Sequence, residues 1–192
     1  DTPHFQHPGL LDFLLSDDVL DLVEPLLGPD IGLWSSHFIS KEPFTGKATP
    51  WHEDSAYWDG RFATFEGIAT VWLALDEADA ANGAMSVLPG THLRDGYTYA
   101  PCDPQMNVFP EEIENLDVSD KVTFELAPNQ CSIHDSRIVH GAGPNASDRR
   151  RCGYTMRYFS QHMAFNRDHP ANRGFRLWHA RGRNPLGNPV EN

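Results

Sequence analysis

The chain changes period at residue 31, and no feature constrains its fold more. Before that point the pattern is helical. Pro8 can open one helix, followed by Leu10, Leu11, Phe13, Leu14 and Leu15. Asp17 or Asp18 can cap a second, which carries Val19, Leu20, Leu22, Val23, Leu26 and Leu27 and closes at Gly28-Pro29. Beyond residue 31 the apolar residues gather into short runs rich in β-branched and aromatic side chains, at 33–40, 68–75, 84–88, 122–126, 130–134 and 152–159. Turn signals such as Asn82-Gly83, Pro89-Gly90, Pro128-Asn129 and Gly143-Pro144-Asn145 separate them. Long helical patterns do not recur between these runs, which disfavours a parallel βαβ sheet. The expected fold is mainly β with N-terminal helices, a double-stranded β-helix of the jelly-roll, cupin-like kind. Residues 1–192 read as one domain: 1–30 helical, 31–160 the jelly-roll core, 161–192 a C-terminal tail. Segment 101–121 is polar and proline-containing, and reads as a long insert of the kind that often forms a lid.

Charge narrows the partners. Residues 1–148 hold 6 basic and 25 acidic side chains, and residues 149–192 hold 9 basic and 2 acidic. A protein that binds nucleic acid needs a broad basic face, so no nucleic-acid partner is expected for the chain as a whole. Twelve of the 15 basic residues are arginine, which suits planar recognition of carboxylate or phosphate. Cys102, Cys131 and Cys152 form no C-x-x-C pair and read as small buried hydrophobes in a reducing compartment. No apolar run reaches the length of a membrane span and no signal peptide is visible. These features place the protein in the cytoplasm, without a membrane partner.

The decisive local feature is Trp51-His52-Glu53-Asp54. On extended backbone, residues two apart project to the same side, so His52 and Asp54 can address one point while Glu53 faces away. An imidazole and a carboxylate aimed at one spot are two-thirds of a 2-His-1-carboxylate facial triad, a set that leaves coordination positions open on a metal. Alone, H-x-D is a weak signal. The second histidine must come from a distant strand, and His140 has the best surroundings. It follows the strand-like stretch 136–139 and precedes the turn 141–145. Arg151 comes eleven residues later, where a hairpin partner could turn its guanidinium into the same cavity. A buried arginine needs an anion, and a dicarboxylate supplies one by bidentate pairing. A metal, open positions and such an arginine together describe a 2-oxoglutarate site.

The order His52-x-Asp54, His140 and Arg151, with the stretch 70–92 between them, resembles the phytanoyl-CoA dioxygenase family of iron(II)/2-oxoglutarate oxygenases. The similarity runs from about residue 33 to 159. The resemblance implies Fe(II) held by His52, Asp54 and His140, which would be the catalytic centre. It implies Arg151 on the distal carboxylate of 2-oxoglutarate, Trp72 beside that cosubstrate and a cosubstrate contact at His37. Ala142 departs from the family by replacing a small hydroxyl residue two positions after the distal histidine, and Glu53 stands where many members have glutamine. A carboxylate at position 54 implies oxygen transfer or another hydrogen-abstraction outcome rather than halogenation, since related halogenases have a small residue there.

Three further readings concern the substrate. A strand beginning at residue 149 would turn Arg151, Gly153, Thr155, Arg157 and Phe159 inward, and Cys152, Tyr154, Met156 and Tyr158 outward beneath the helices. Arg157 is then a second inward cation that could bind an anionic substrate, or a structural ion pair. Tyr57 and Trp58 follow the H-x-D motif and are expected at the substrate entrance, or in a satellite core. His134, near the cavity mouth, is a candidate for the layer behind the metal ligands. The expected reaction is hydroxylation of a small organic molecule, with O2 and 2-oxoglutarate converted to succinate and CO2. The alternatives are a metal-binding cupin of another reaction class, or a non-catalytic family member.

Overall fold

The computed structural model describes residues 1–192. Two helices come first, α1 (Pro8–Leu14) and α2 (Asp17–Leu27). Ser16 stands at the N-cap of α2 without a side-chain cap, so Asp17 and Asp18 lie inside the first turn, where carboxylates complement the helix dipole. Strands follow: β1 (Ile31–Lys41), β2 (Thr49–His52), β3 (Ile68–Ala74), β4 (Met85–Val87), β5 (Tyr99–Pro101), β6 (Glu111–Ile113), β7 (Val122–Thr123), β8 (Cys131–Asp135), β9 (His140–Ala142), β10 (Arg151–Ser160), β11 (Leu177–Arg181) and β12 (Val190–Glu191).

They form a six-stranded sheet, β12-β11-β1-β10-β3-β8, and a four-stranded sheet, β2-β9-β4-β7. The small pair β5-β6 forms its own two-stranded sheet, with β6 in the insert read as a lid and packed against β2. All pairings except β11 with β12 are antiparallel. The large and small sheets enclose a cavity lined from both sides, the arrangement of a jelly roll.

Strand β10 organises the large sheet because its two faces have different jobs. Tyr154, Met156 and Tyr158 pack with Leu14, Val19, Leu20 and Val23 of the helices. Arg151, Thr155 and Arg157 line the cavity on the other face. On β1 the same division requires a shift of phase. The register with β10 jumps between Leu33 and Ser35, leaving Trp34 as the extra residue of a bulge. Leu33 therefore joins the helix-side core, while Ile39, six residues on, lines the cavity. A one-residue slip of this kind exchanges the two faces of everything downstream.

Three sequence expectations give way here. Stretch 136–139 is a turn between β8 and β9, and His140 itself begins a strand. Strands β9 and β10 do not form a hairpin: β9 pairs with β2 and β4 in the small sheet, β10 with β1 and β3 in the large one. The C-terminal segment is more than a tail, because β11 pairs with β1 and buries Leu177 and Trp178. Arg181 is bound by Asp17, Asp21 and Glu24 of α2, so part of the basic segment neutralises the acidic helix.

Candidate metal centre

Strand β2 ends at His52, and Asp54 opens a single 3-10 turn at Asp54–Tyr57. Glu53 between them is extended, with φ −108° and ψ 136°, and this sets the His52 and Asp54 side chains on one side. His140 lies directly across from His52 in the β2–β9 pairing. The ligand atoms of His52, Asp54 and His140 all lie within 4.8 Å of one another, and all three residues are buried. His52 Nε2 is 3.8 Å from Asp54 Oδ1.

Both imidazoles are oriented from behind. His52 Nδ1 donates to the Pro50 carbonyl at 2.8 Å, and His140 Nδ1 donates to the Ile138 carbonyl at 2.9 Å. A carbonyl oxygen can only accept, so each ring carries its proton on Nδ1 and turns a free Nε2 lone pair toward its partner ligands. Burial, reinforced by His52, holds the His140 ring well below the ordinary histidine range. Burial pushes the Asp54 carboxyl up, yet the Arg157 guanidinium and His52 outweigh it and hold the group well below the usual carboxylate value. A neutral imidazole and an ionised carboxylate are the protonation states a metal requires. The donor set of two imidazoles and one carboxylate therefore fits a divalent ion such as Fe(II).

Arg151 enters the same cavity from the large sheet, 2% exposed. Its Nε and Nη2 donate to the Gly83 carbonyl at 3.0 and 2.6 Å, and its guanidinium carbon lies 5.1 Å from the centre of the Trp72 ring. Gly153 makes room for that indole, since a Cβ at this position would collide with the ring. Across the β1–β10 pairing stands Lys41, also buried, whose ammonium reaches the carbonyls of Lys47 and of Gly143. Neither cation has a carboxylate partner. Burial, then Arg151, lowers the Lys41 pKa to about 7, and burial lowers that of Arg151 to about 10. Buried positive charge without an acid calls for an anionic ligand.

The remaining sites distribute unevenly. Arg157 lines the cavity, its guanidinium 3.5 Å from Asp54 Oδ2 and 5.0 Å from the centre of the Trp58 ring. Trp58, read as lining the entrance or joining a satellite core, takes the second place: it is buried in an aromatic cluster with Trp34, Phe62 and Phe159, where it supports Arg157 from below. Tyr57 is half-exposed and its ring centre lies 5.7 Å from that of His52. His37 is absent from the cavity lining; its Nδ1 pairs with Asp1 at 2.6 Å, and burial followed by Arg157 lowers its pKa to about 4. Trp72, Thr70 and His134 line the cavity wall. Sequence reasoning passes over Thr70, Lys41 and Phe109. The last belongs to the insert yet lines the cavity, its ring 5.0 Å from that of His52. No local pattern distinguishes Phe109 from any other loop aromatic.

Comparison with known proteins places this geometry. The family model for phytanoyl-CoA dioxygenase matches residues 2–153, which include the whole triad and Arg151. The chain belongs to the phytanoyl-CoA dioxygenase family. Among the relatives of this family member is a protein of Stutzerimonas stutzeri described as a probable alpha-ketoglutarate-dependent hypophosphite dioxygenase. It is 30% identical over 157 residues, covering 79% of this chain and 53% of that protein. The peroxisomal phytanoyl-CoA dioxygenase of Bos taurus is 29% identical over 136 residues, covering 68% of this chain and 40% of the bovine one. Among solved structures, the apo form of the non-heme monooxygenase ThoJ superposes with a TM-score of 0.76 at 27% identity, covering 94% of this chain and 64% of ThoJ. EvdO2 from Micromonospora carbonacea var. aurantiaca, in complex with 2-oxoglutarate, gives 0.71 at 30% identity, covering 83% and 65%. The jelly-roll fold of this phytanoyl-CoA dioxygenase family member is thus shared with 2-oxoglutarate oxygenases. The chain spans about half the length of the curated relatives it matches. No helix is long and apolar enough to cross a membrane.

Proposed function

We propose that this chain is the catalytic domain of an Fe(II)/2-oxoglutarate-dependent dioxygenase that hydroxylates a small organic molecule. One observation carries the reading: two histidines with their Nε2 atoms free and an ionised aspartate converge in a cavity that also holds an arginine lacking an acid. His52, Asp54 and His140 would hold the iron, and Arg151, backed by Trp72, would pair with the distal carboxylate of 2-oxoglutarate. Bound together, iron and 2-oxoglutarate supply the oxidising chemistry, in which O2 is consumed, 2-oxoglutarate is converted to succinate and CO2, and substrate gains an oxygen atom. The protein's own part is orientation and exclusion of water. The Pro50 and Ile138 carbonyls fix the imidazoles, burial disfavours protonation of His140, Arg157 and His52 hold Asp54 ionised, and Phe109 and Tyr57 cover the His52 side of the centre.

The substrate is read as anionic from charge balance. Asp54 is the only acid among the residues lining the cavity, and Arg151 and Arg157 are its two arginines. A divalent metal and a dianionic cosubstrate cancel, which leaves one positive charge unmatched in a buried site. The name of the hypophosphite relative agrees with a small anion. Residues 1–192 are read as one domain because β11, near the C-terminus, pairs with β1. Three unpaired cysteines support a reducing compartment, which we take to be the cytoplasm.

The test supplies Fe(II) and 2-oxoglutarate to the purified protein and measures succinate over a panel of small carboxylates, phosphonates and hypophosphite. Substrate-dependent succinate, lost in His52→Ala and Asp54→Ala, is the expected result. Equal turnover by parent and variants overturns the reading. If metal binds while 2-oxoglutarate does not, the chain is instead a cupin of another reaction class.

A further inference from the structure

The cavity wall that faces the triad carries polar atoms with nothing to bind. Thr70 Oγ1 and both ring nitrogens of His134 are buried and have no hydrogen-bond partner, and Arg157 Nε, equally buried, has only the 3.5 Å ion-pair contact with Asp54 Oδ2. Thr70 is 1% exposed and His134 6%. Buried polar groups are almost always satisfied, and several orphans on one wall signal a ligand that supplies the missing partners.

These residues form one row. Arg157 of β10 stands across from Thr70 of β3, which stands across from His134 of β8. Cross-strand neighbours on one face lie about 5 Å apart, so the three heads address a single small group. The row sits level with the metal ligands: Arg157 is 3.5 Å from Asp54, and the rings of His134 and His140 are 4.9 Å apart. Trp58 beneath the guanidinium fixes its plane. The row is also separate from the Arg151 end, where the guanidinium bonds the Gly83 carbonyl and lies against the Trp72 ring. A core built for stability would place valine and phenylalanine at 70 and 134. A guanidinium, a hydroxyl and an imidazole N–H are instead the donors that an oxyanion needs.

We infer that Arg157, Thr70 and His134 form an oxyanion receptor, and that the primary substrate is a small monoanion whose charged oxygens the row holds beside the metal. This inference rests on the oxygenase reading above and adds to it the residues that select the substrate. The 1-carboxylate of 2-oxoglutarate has the same chemistry, so the experiment must separate the two sources.

Thr70→Val keeps the shape of the side chain and removes the hydroxyl, and His134→Phe removes both ring nitrogens. The Fe(II)-loaded protein is first titrated with 2-oxoglutarate by calorimetry without oxygen. The saturated complex is then titrated with acetate, isobutyrate and benzoate, and with the corresponding amides as neutral controls. At least one acid is expected to bind the parent where its amide does not. Each variant should weaken that acid by roughly 10- to 100-fold, the cost of one hydrogen bond to a charged group. Affinity for 2-oxoglutarate should stay within about threefold of the parent, since its proposed anchor is Arg151. Melting temperatures should equal or exceed the parent's, because an orphaned polar atom has been removed. A merely structural role would lower them.

The inference is overturned if amides bind as well as acids, if no acid binds, or if the variants bind acids like the parent. A loss confined to 2-oxoglutarate would give the row to the cosubstrate and overturn the substrate assignment. If His134→Phe does not fold, Thr70→Val alone decides. Failure of the parent to bind 2-oxoglutarate in the first titration overturns the underlying oxygenase reading, and is distinct from failure of the acids in the second.

Discussion

Arg151 and Trp72 form one unit: the guanidinium carbon lies 5.1 Å from the indole centre, and both ends of the pair are buried. The ring cannot satisfy the guanidinium's hydrogens, and the single Gly83 carbonyl accepts from only two of its nitrogens. A dicarboxylate end that completes this arrangement would be bound by charge, plane and depth together.

Replacing Arg151 therefore tests the cosubstrate half of the site. Arg151→Gln is expected to raise the KM or Kd for 2-oxoglutarate by roughly 100-fold or more, since losing one member of a buried ion pair costs about 3–5 kcal/mol. Metal affinity should be unchanged, because Arg151 bonds none of the three ligands. Arg151→Lys should recover little, lacking the planar fork. Calorimetry on the metal-loaded protein reads both constants.

Metal removal should lower thermal stability, and the triad should carry the whole effect. A ligand at 100 times its Kd stabilises a protein by about 2.7 kcal/mol, which for a chain of this size corresponds to roughly 5–10 °C. The parent should lose that increment on chelation. His52→Ala and His140→Ala should melt at one temperature with or without metal. Scanning calorimetry under anaerobic conditions makes the comparison.

Lys41 should make stability depend on pH. Its pKa falls from 10.5 to about 7, through burial and then Arg151. The unfolded chain thus binds more protons than the folded one between these values, so stability rises as pH goes from about 7 toward 10.5, and below 7 the penalty is constant. The gain is on the order of a few kcal/mol. A neutral amine still offers two hydrogens, enough for the carbonyls of Lys47 and Gly143. Urea midpoints at pH 7 and 9 should differ in the parent, and Lys41→Met should lose most of the difference.

Gly153 is expected to tolerate no side chain. A Cβ there runs into the Trp72 indole, and strain of this kind costs about 1–3 kcal/mol. Gly153→Ala should lower the melting temperature and also weaken 2-oxoglutarate, because the displaced ring no longer backs Arg151. An unaltered Kd for 2-oxoglutarate would separate Trp72 from the cosubstrate.

Much of this arrangement is legible in the sequence. The alternation on 151–159 assigns Tyr154, Met156 and Tyr158 to the helices and leaves Thr155 and Arg157 for the cavity, as the packing has it. His52 and Asp54 share a side because extended backbone has a period of two. The switch to short β-rich runs at residue 31 marks the boundary between helices and sheets. All of these depend on neighbours within a few positions, where backbone geometry alone relates one side chain to the next.

What tertiary structure decided involves partners far apart in the chain. Arg151 reaches the cavity from the sheet opposite His140, although only eleven residues separate them, because the intervening turn carries the chain across the barrel. The bulge at Trp34 decides which residues of β1 face inward, and it is a property of the pairing with β10. The basic C-terminal segment resolves into a strand that buries Trp178 and an arginine bound by α2. Thr70 acquires meaning only from register, which aligns it between Arg157 and His134. Sequence determines the period and the donors. Which donors meet is set by how two sheets close on each other, and that closure is a sum of long-range contacts that no local pattern encodes.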